Sequence, residues 1–159
     1  MKASTVNEIK QELKHRTAAE LVELCNRLAR FKKENKELLT YLLFEAHDEA
    51  GYKQSVKQEI DFQFSEIPKG NSLDLQKKSV RKILRTAAKY ARYSGEKTTE
   101  IELLLHFCSR LKSSGIALHQ STALSNLLQT QLKKIGKLLP ALHEDLQYDY
   151  QRALNELID

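Results

Sequence analysis

The chain has 159 residues, of which 41% are hydrophobic and 30% are charged, and it contains only five glycines and two prolines. This composition is too apolar for intrinsic disorder and too poor in turn-forming residues for an all-β or α/β protein. It predicts an all-α fold, and the length suits a single helical domain over residues 1–159.

The sequence indicates neither a membrane span nor an oxidising compartment. No apolar segment approaches the roughly 18 residues that cross a bilayer, and residues 1–10 lack the apolar core of a signal peptide. We therefore expect a cytoplasmic protein with no membrane partner. Cys25 and Cys108 stand alone among apolar helical residues, which predicts two buried thiols and neither a disulfide nor a metal site.

Three capping-box patterns predict where helices begin. They are Thr5 with Glu8, Thr17 with Glu20, and Thr99 with Glu102. The first helix is predicted to end near residue 15 and the second near residue 31. The inward-facing residues of the second helix are predicted to be Leu21, Leu24, Cys25 and Leu28.

Five further helices follow from the spacing of apolar residues. Two are predicted over about 33–46 and 48–65, the first burying Leu38, Leu39, Leu42 and Leu43. After the break at Pro68 and Gly70, a basic helix is predicted over about 72–93, with Gly95 as its C-terminal cap. Helices over about 116–136 and 140–157 follow the helix that begins at Thr99, which is predicted to end near residue 112, and complete a set of about eight packed as antiparallel hairpins. The apolar residues predicted for the helix over 116–136 are Leu124, Leu127, Leu128, Leu132 and Ile135.

A weak internal similarity joins two of these helices. Residues 21–28 resemble residues 104–111, and the alignment places Cys25 and Cys108 at matched positions. Stacked hairpins in a short α-solenoid-like superhelical array would produce such a repeat. The alternative is chance similarity between leucine-rich helices.

A set of short motifs follows a recognisable order along roughly residues 5–112. They are Ile9-Lys10, Leu13-Lys14, Thr17, Glu20-Leu21, Lys36, Tyr41, Val56-Lys57, Glu59-Ile60, Phe64, Leu73-Asp74-Leu75, Lys78, Arg81, Ile83-Leu84, Glu102-Leu103-Leu104-Leu105 and Phe107. This order resembles a family of small uncharacterised bacterial all-helical proteins. The resemblance implies a helical array, with superhelical stacking as one form of it, in a bacterial cytoplasm. Because that family has no established activity, the resemblance implies no functional residue.

The formal net charge of +5 is concentrated in one segment. Residues 1–70 carry 12 basic and 12 acidic residues, residues 71–137 carry 13 basic against four acidic, and residues 138–159 carry one basic against five acidic. At 100° per residue, seven bases of the predicted basic helix fall within an arc of about 140°, opposite its apolar side. They are Lys77, Lys78, Arg81, Lys82, Arg85, Lys89 and Arg92.

This basic helix predicts a non-enzymatic binding or scaffold module that contacts an acidic protein partner or a second copy of the chain. The predicted partner-binding residues are Lys78, Arg81, Lys82, Arg85, Lys89, Arg92 and Tyr93. One alternative is sequence-independent nucleic-acid binding through the same residues, with Tyr93 stacking on a base. Another is a structural role for this face, either as a solvated surface or as one neutralised within the molecule by Glu144, Asp145 and Asp149 of the last helix.

Signatures of catalysis are weak. The chain has no glycine-rich phosphate loop, and Glu12 to His15 is a single Glu-x-x-His where di-iron bundles need two. The segments 47–49 and 143–145 place a histidine beside acids, but at predicted helix starts, where acids are favoured by the helix dipole. We therefore expect no enzyme, no catalytic or metal site and no small-molecule cofactor.

Overall fold

A computed structural model describes residues 1–70 and 72–158. This part of the chain contains eight α-helices and no β-strand, which confirms the all-α prediction and the helix number. A π-helical turn follows the third helix, and short 3₁₀ turns precede the seventh and eighth. The helices are α1 (Val6–Lys14), α2 (Ala18–Phe31), α3 (Lys33–Thr40), α4 (Glu49–Ser65), α5 (Leu73–Ser94), α6 (Lys97–Ser113), α7 (Thr122–Leu138) and α8 (Glu144–Ile158).

The helices group into two compact units, Met1–Phe44 and Glu45–Asp159. The first unit contains α1, α2 and α3, and the second contains α4 to α8. A single domain over residues 1–159 and a solenoid-like stacking of hairpins both stay predictions.

Two helices of the first unit begin with the predicted capping boxes. The hydroxyl of Thr5 accepts a hydrogen bond from the Glu8 N–H at 3.3 Å, and the Glu8 carboxylate accepts one from the Thr5 N–H at 2.7 Å. Thr17 and Glu20 repeat this arrangement with the same two distances. Each box satisfies backbone donors that have no partner inside the helix.

The buried faces predicted for α2 and α3 were wrong. No residue of α1, α2 or α3 is buried, and the side chain of Leu28 is 60% exposed. Amphipathic spacing predicts a face that packs, but it does not say which surface covers that face. Two of the predicted inward residues, Leu21 and Leu39, are half-buried. The others are exposed, and they are Leu24, Cys25, Leu28, Leu38, Leu42 and Leu43.

The core of the second unit is built around α6. This helix packs against α4, α5, α7 and α8, and all its large apolar side chains except the half-buried Leu105 are buried. The rings of Phe64 and Phe107 lie with their centroids 5.7 Å apart where α4 meets α6. Gly95 ends α5 with a φ of 72°, in the left-handed region that glycine adopts without strain, which confirms the predicted C-terminal cap.

The predicted capping box at Thr99 was wrong because α6 begins two residues earlier, at Lys97. Thr99 is buried, and its hydroxyl donates a hydrogen bond of 2.5 Å to Oε1 of Glu49 on α4. Glu102 pairs with lysines of α4 in place of the Thr99 backbone. Side chains of α4 therefore bind both residues that were predicted to form the capping box.

The last two helices begin later than predicted. Ser121 caps α7, since its hydroxyl accepts a hydrogen bond from the Leu124 N–H at 3.3 Å. Pro140 lies in a 3₁₀ turn, Leu139–Ala141, and α8 begins only at Glu144. The apolar face predicted for α7 is confirmed at Leu124, Leu128, Leu132 and Ile135, which are buried, whereas Leu127 is half-buried.

Candidate functional site

The predicted basic surface lies on α5, the longest helix of the second unit that the structure describes. The hydroxyl of Ser72 caps the helix by accepting a hydrogen bond from the Leu75 N–H at 3.4 Å. The side packed against α4 and α6 is small and apolar, and its buried residues are Val80, Ile83, Ala87 and Ala91. Because these residues fix the rotation of α5, the opposite side of the helix faces solvent.

Five of the seven predicted partner-binding residues are exposed on that outer side, and we call these five the basic row. The row extends over about 21 Å at 1.5 Å per residue. The other two predicted residues, Lys89 and Tyr93, are half-buried. The basic row consists of Lys78, Arg81, Lys82, Arg85 and Arg92.

The acidic last helix does not neutralise the basic row. Helix α8 packs against α6 and α7, and its residues Glu144, Asp145 and Asp149 are exposed. Across residues 1–70 and 72–158, no member of the basic row forms an ion pair. The acid beside the row is Asp74, whose pKa is lowered by a hydrogen bond from Lys77 and by the charges of Lys77 and Lys78.

The aromatic residue proposed for base stacking is engaged within the second unit. The ring of Tyr93 meets the ring of Tyr90 edge-on, with centroids 5.8 Å apart and planes at 80°. The ammonium group of Lys89 lies 4.8 Å from the Tyr90 centroid and 6.0 Å from the Tyr93 centroid. These contacts hold Lys89 and Tyr93 against the protein at one end of the row.

A row of ion pairs and hydrogen bonds between α4 and α6, which we call the polar ladder, was not predicted from the sequence. The Glu102 carboxylate accepts hydrogen bonds from Nζ of Lys53 at 2.6 Å and from Nζ of Lys57 at 2.8 Å. The hydroxyl of Tyr150 on α8 donates a third hydrogen bond to it, at 2.8 Å. Burial opposes the charge of Glu102, but the three hydrogen bonds outweigh it and lower the pKa of this carboxyl to about 2. Burial and the Glu102 carboxylate raise the pKa of Tyr150.

One turn further along both helices, Asp61 on α4 lies 2.7 Å from Nε2 of His106 and 2.9 Å from Nε of Arg110. The sequence signal for this ladder was a spacing of four residues on each helix. Lys53, Lys57 and Asp61 on α4 face Glu102, His106 and Arg110 on α6. Such spacing places each set on one face of its helix. Asp61, His106 and Arg110 belong to the contact between α4 and α6, and we assign them a structural role.

The acid and histidine motifs considered for catalysis serve helix ends in the structure. Asp48 caps α4 by accepting a hydrogen bond of 3.0 Å from the Gly51 N–H, and Glu49 accepts hydrogen bonds from the hydroxyls of Ser94 and Thr99. His143 is exposed, with Nδ1 3.5 Å from the Asp145 carboxylate. Among the residues that the structure describes, no group of three or more His, Cys, Asp or Glu side chains is arranged to hold a metal ion.

The two cysteines differ, although the sequence predicted the same environment for both. Cys108 is buried and burial raises the pKa of its thiol to about 12, whereas Cys25 is exposed. Since the thiolate is the reactive form, we expect a thiol reagent to modify one cysteine of the native protein rapidly and both in urea. Absorbance titration with an aromatic disulfide measures this, and two rapid equivalents from native protein would contradict it.

Within the described ranges, none of the helices has the length and apolar character needed to cross a membrane. Comparison of the sequence with protein-family models, with curated proteins and with solved structures finds no significant match. The bacterial family resemblance and the cytoplasmic location therefore stay predictions.

Proposed function

We propose that the protein is a binding module whose basic row on α5 docks an acidic segment of a partner protein. The observation that carries the proposal is the exposure of Lys78, Arg81, Lys82, Arg85 and Arg92 on one side of one helix, without an ion pair in the described part of the chain. The buried side of α5 keeps the five charges in line. A partner carboxylate gains bidentate contacts from the arginines that lysines alone would not provide.

Two features favour an acidic protein over nucleic acid. Leu75 is exposed and lies seven residues before Lys82, so an apolar contact is available at one end of the basic row. At the other end, the Tyr93 side chain is half-buried and its ring packs edge-on against Tyr90, so less of the ring is exposed for a base to stack on. Protein interfaces combine apolar contacts with charged rims, whereas single-stranded nucleic acid binding depends on exposed aromatic rings.

The proposal is tested with a fluorescent polyglutamate peptide and the double variant Arg81→Glu, Arg85→Glu. We expect the variant to bind the peptide at least about tenfold more weakly, because two charged contacts of about 1 kcal/mol each become repulsive. Fluorescence polarisation at two salt concentrations measures the loss. Lys133→Glu with Lys137→Glu is the matched control, since it makes the same change in charge at two exposed positions of α7.

Two results would count against the proposal. One is the absence of peptide binding at low salt, and the other is an equal loss in the α5 variant and the α7 control. Sequence-independent nucleic-acid binding is the second candidate, and a labelled oligonucleotide tests it in the same assay. Tighter binding of the oligonucleotide than of the peptide, with a steep salt dependence that is lost in the α5 variant, would favour that candidate.

A further inference from the structure

The first unit carries a second surface that the basic row does not involve. Helices α1 and α2 border an open groove of about 1030 Å³. Its apolar lining includes Ile9, which is 48% exposed, Leu13, which is 39% exposed, and Leu24. Charged side chains surround these residues, so the groove has the apolar centre and polar rim of an interface.

Helix α1 needs a surface to pack against. It has nine residues and none of them is buried, and Val6 at its start is largely exposed. Isolated helices shorter than about 12 residues are marginal in water, so a capping box alone does not make α1 stable. The apolar side of α1 is therefore a face prepared for contact.

The rim of the groove along α2 has its charges in a definite order. Two acids, Glu20 and Glu23, come first, and two bases, Arg27 and Arg30, follow. All four are exposed and fall within an arc of about 80° at 100° per residue. Within the described residues Glu23, Arg27 and Arg30 form no ion pair, although Glu23 and Arg27 are four residues apart.

In a two-fold symmetric dimer, this order is complementary to itself only when the two α2 helices run antiparallel. A two-fold axis beside residue 25 places Glu20 opposite Arg30 of the second copy and Glu23 opposite Arg27 of the second copy. Each pair occurs twice, as in any isologous interface. A parallel arrangement would place acid opposite acid and base opposite base, which costs free energy.

We propose that two copies of the chain associate through the groove bordered by α1 and α2, with their α2 helices antiparallel and Glu23 of each copy paired with Arg27 of the other. The apolar side chains of α1 and Leu24 are buried between the copies. This proposal does not depend on the function assigned to α5, because it uses another surface in another unit.

The test is a charge exchange at residues 23 and 27. Glu23→Arg places two arginines opposite each other in both symmetric pairs, and Arg27→Glu places two glutamates opposite each other in both. We expect the wild-type chain to sediment as a dimer, and each variant to raise the dissociation constant at least about tenfold. Glu20 is left unchanged because it closes the cap with Thr17.

Mixing the two variants identifies the partner as a second copy. The arginine introduced at position 23 of one variant then meets the glutamate introduced at position 27 of the other. The unchanged Arg27 of the first variant meets the unchanged Glu23 of the second, so all pairs are complementary again. We expect a one-to-one heterodimer of about wild-type affinity, detected by native mass spectrometry with one variant carrying a mass label. Glu34→Arg and Lys36→Glu are the matched controls, since both residues are exposed on α3 and neither lines the groove.

Three outcomes would overturn the proposal: a monomeric wild-type chain, variants that dimerise as the wild type does, or a mixture that stays monomeric. A fourth contrary outcome is a dimer that separates only in the double variant Arg81→Glu, Arg85→Glu, which would assign self-association to the basic row. Since peptide binding should be unchanged in Glu23→Arg, failure of the dimer proposal and failure of the α5 proposal give different results. Far-UV circular dichroism confirms that both variants remain helical.

Discussion

Phe107→Ala is expected to lower the free energy of unfolding of the second unit by about 3–5 kcal/mol. Phe107 is fully buried in the central helix α6, and its ring contacts that of Phe64 with centroids 5.7 Å apart. Truncation removes these contacts and leaves a cavity that helices packed on four sides cannot close. A loss of this size is a large part of the stability of a small domain.

Urea unfolding followed by near-ultraviolet circular dichroism measures the effect. The chain has six tyrosines and no tryptophan, and all but Tyr41 lie in the second unit, so the signal reports mainly on that unit. Phe62→Ala is the matched control, because Phe62 lies on α4 and is 59% exposed. Its expected cost is below about 1 kcal/mol, and equal costs for the two substitutions would show that Phe107 is not in the core.

Acidification is expected to weaken the second unit through Glu102. The folded pKa of this carboxyl is lowered from 4.5 to about 2, so the stabilisation is complete above pH 4.5 and is lost as the pH falls towards 2. Because water reaches part of the Glu102 site, we expect a contribution of about 2 kcal/mol, below the value that the full shift would imply. Glu102→Gln should cost about that amount at pH 7 and flatten the pH dependence between 4.5 and 2.

The matched control is Glu100→Gln on the same helix. Glu100 pairs with Lys134 of α7 at 2.6 Å, but both side chains are partly exposed, so the expected loss is below about 1 kcal/mol. Urea unfolding of the wild type and both variants across this pH range separates the two sites. A steep loss between pH 4.5 and 2 that survives in Glu102→Gln would assign the effect to other carboxyls.

Local signals predicted much of the fold correctly. The capping boxes at Thr5 and Thr17, the glycine cap at Gly95 and the apolar face of α7 all act within a few residues of chain, and all are confirmed. The orientation of the basic row also followed from helical spacing, since the buried alanines lie opposite it. Such patterns are determined by the geometry of one helix.

The failed predictions depended on contacts between helices. Thr99 and Glu102 have the spacing of a capping box, but neither caps α6. The Thr99 hydroxyl instead binds Glu49 of α4, and the Glu102 carboxylate binds Lys53 and Lys57 of the same helix. The leucines of α2 have the spacing of a core face, but no described helix buries them. Sequence periodicity does not contain these contacts because it carries no information about which surfaces meet.

The position of α6 in the chain sets an order for folding during synthesis. The side chains that join α4 to α6 lie 45 to 50 residues apart in sequence, and α6 follows α5. As the chain leaves the ribosome, α4 and α5 emerge with apolar surface that α6 covers only after residues near Leu111 have also left the ribosome. A delay between the emergence of α5 and the emergence of residues 95–111 would prolong that exposure, and in this interval a chaperone or a neighbouring nascent chain gains access to the core.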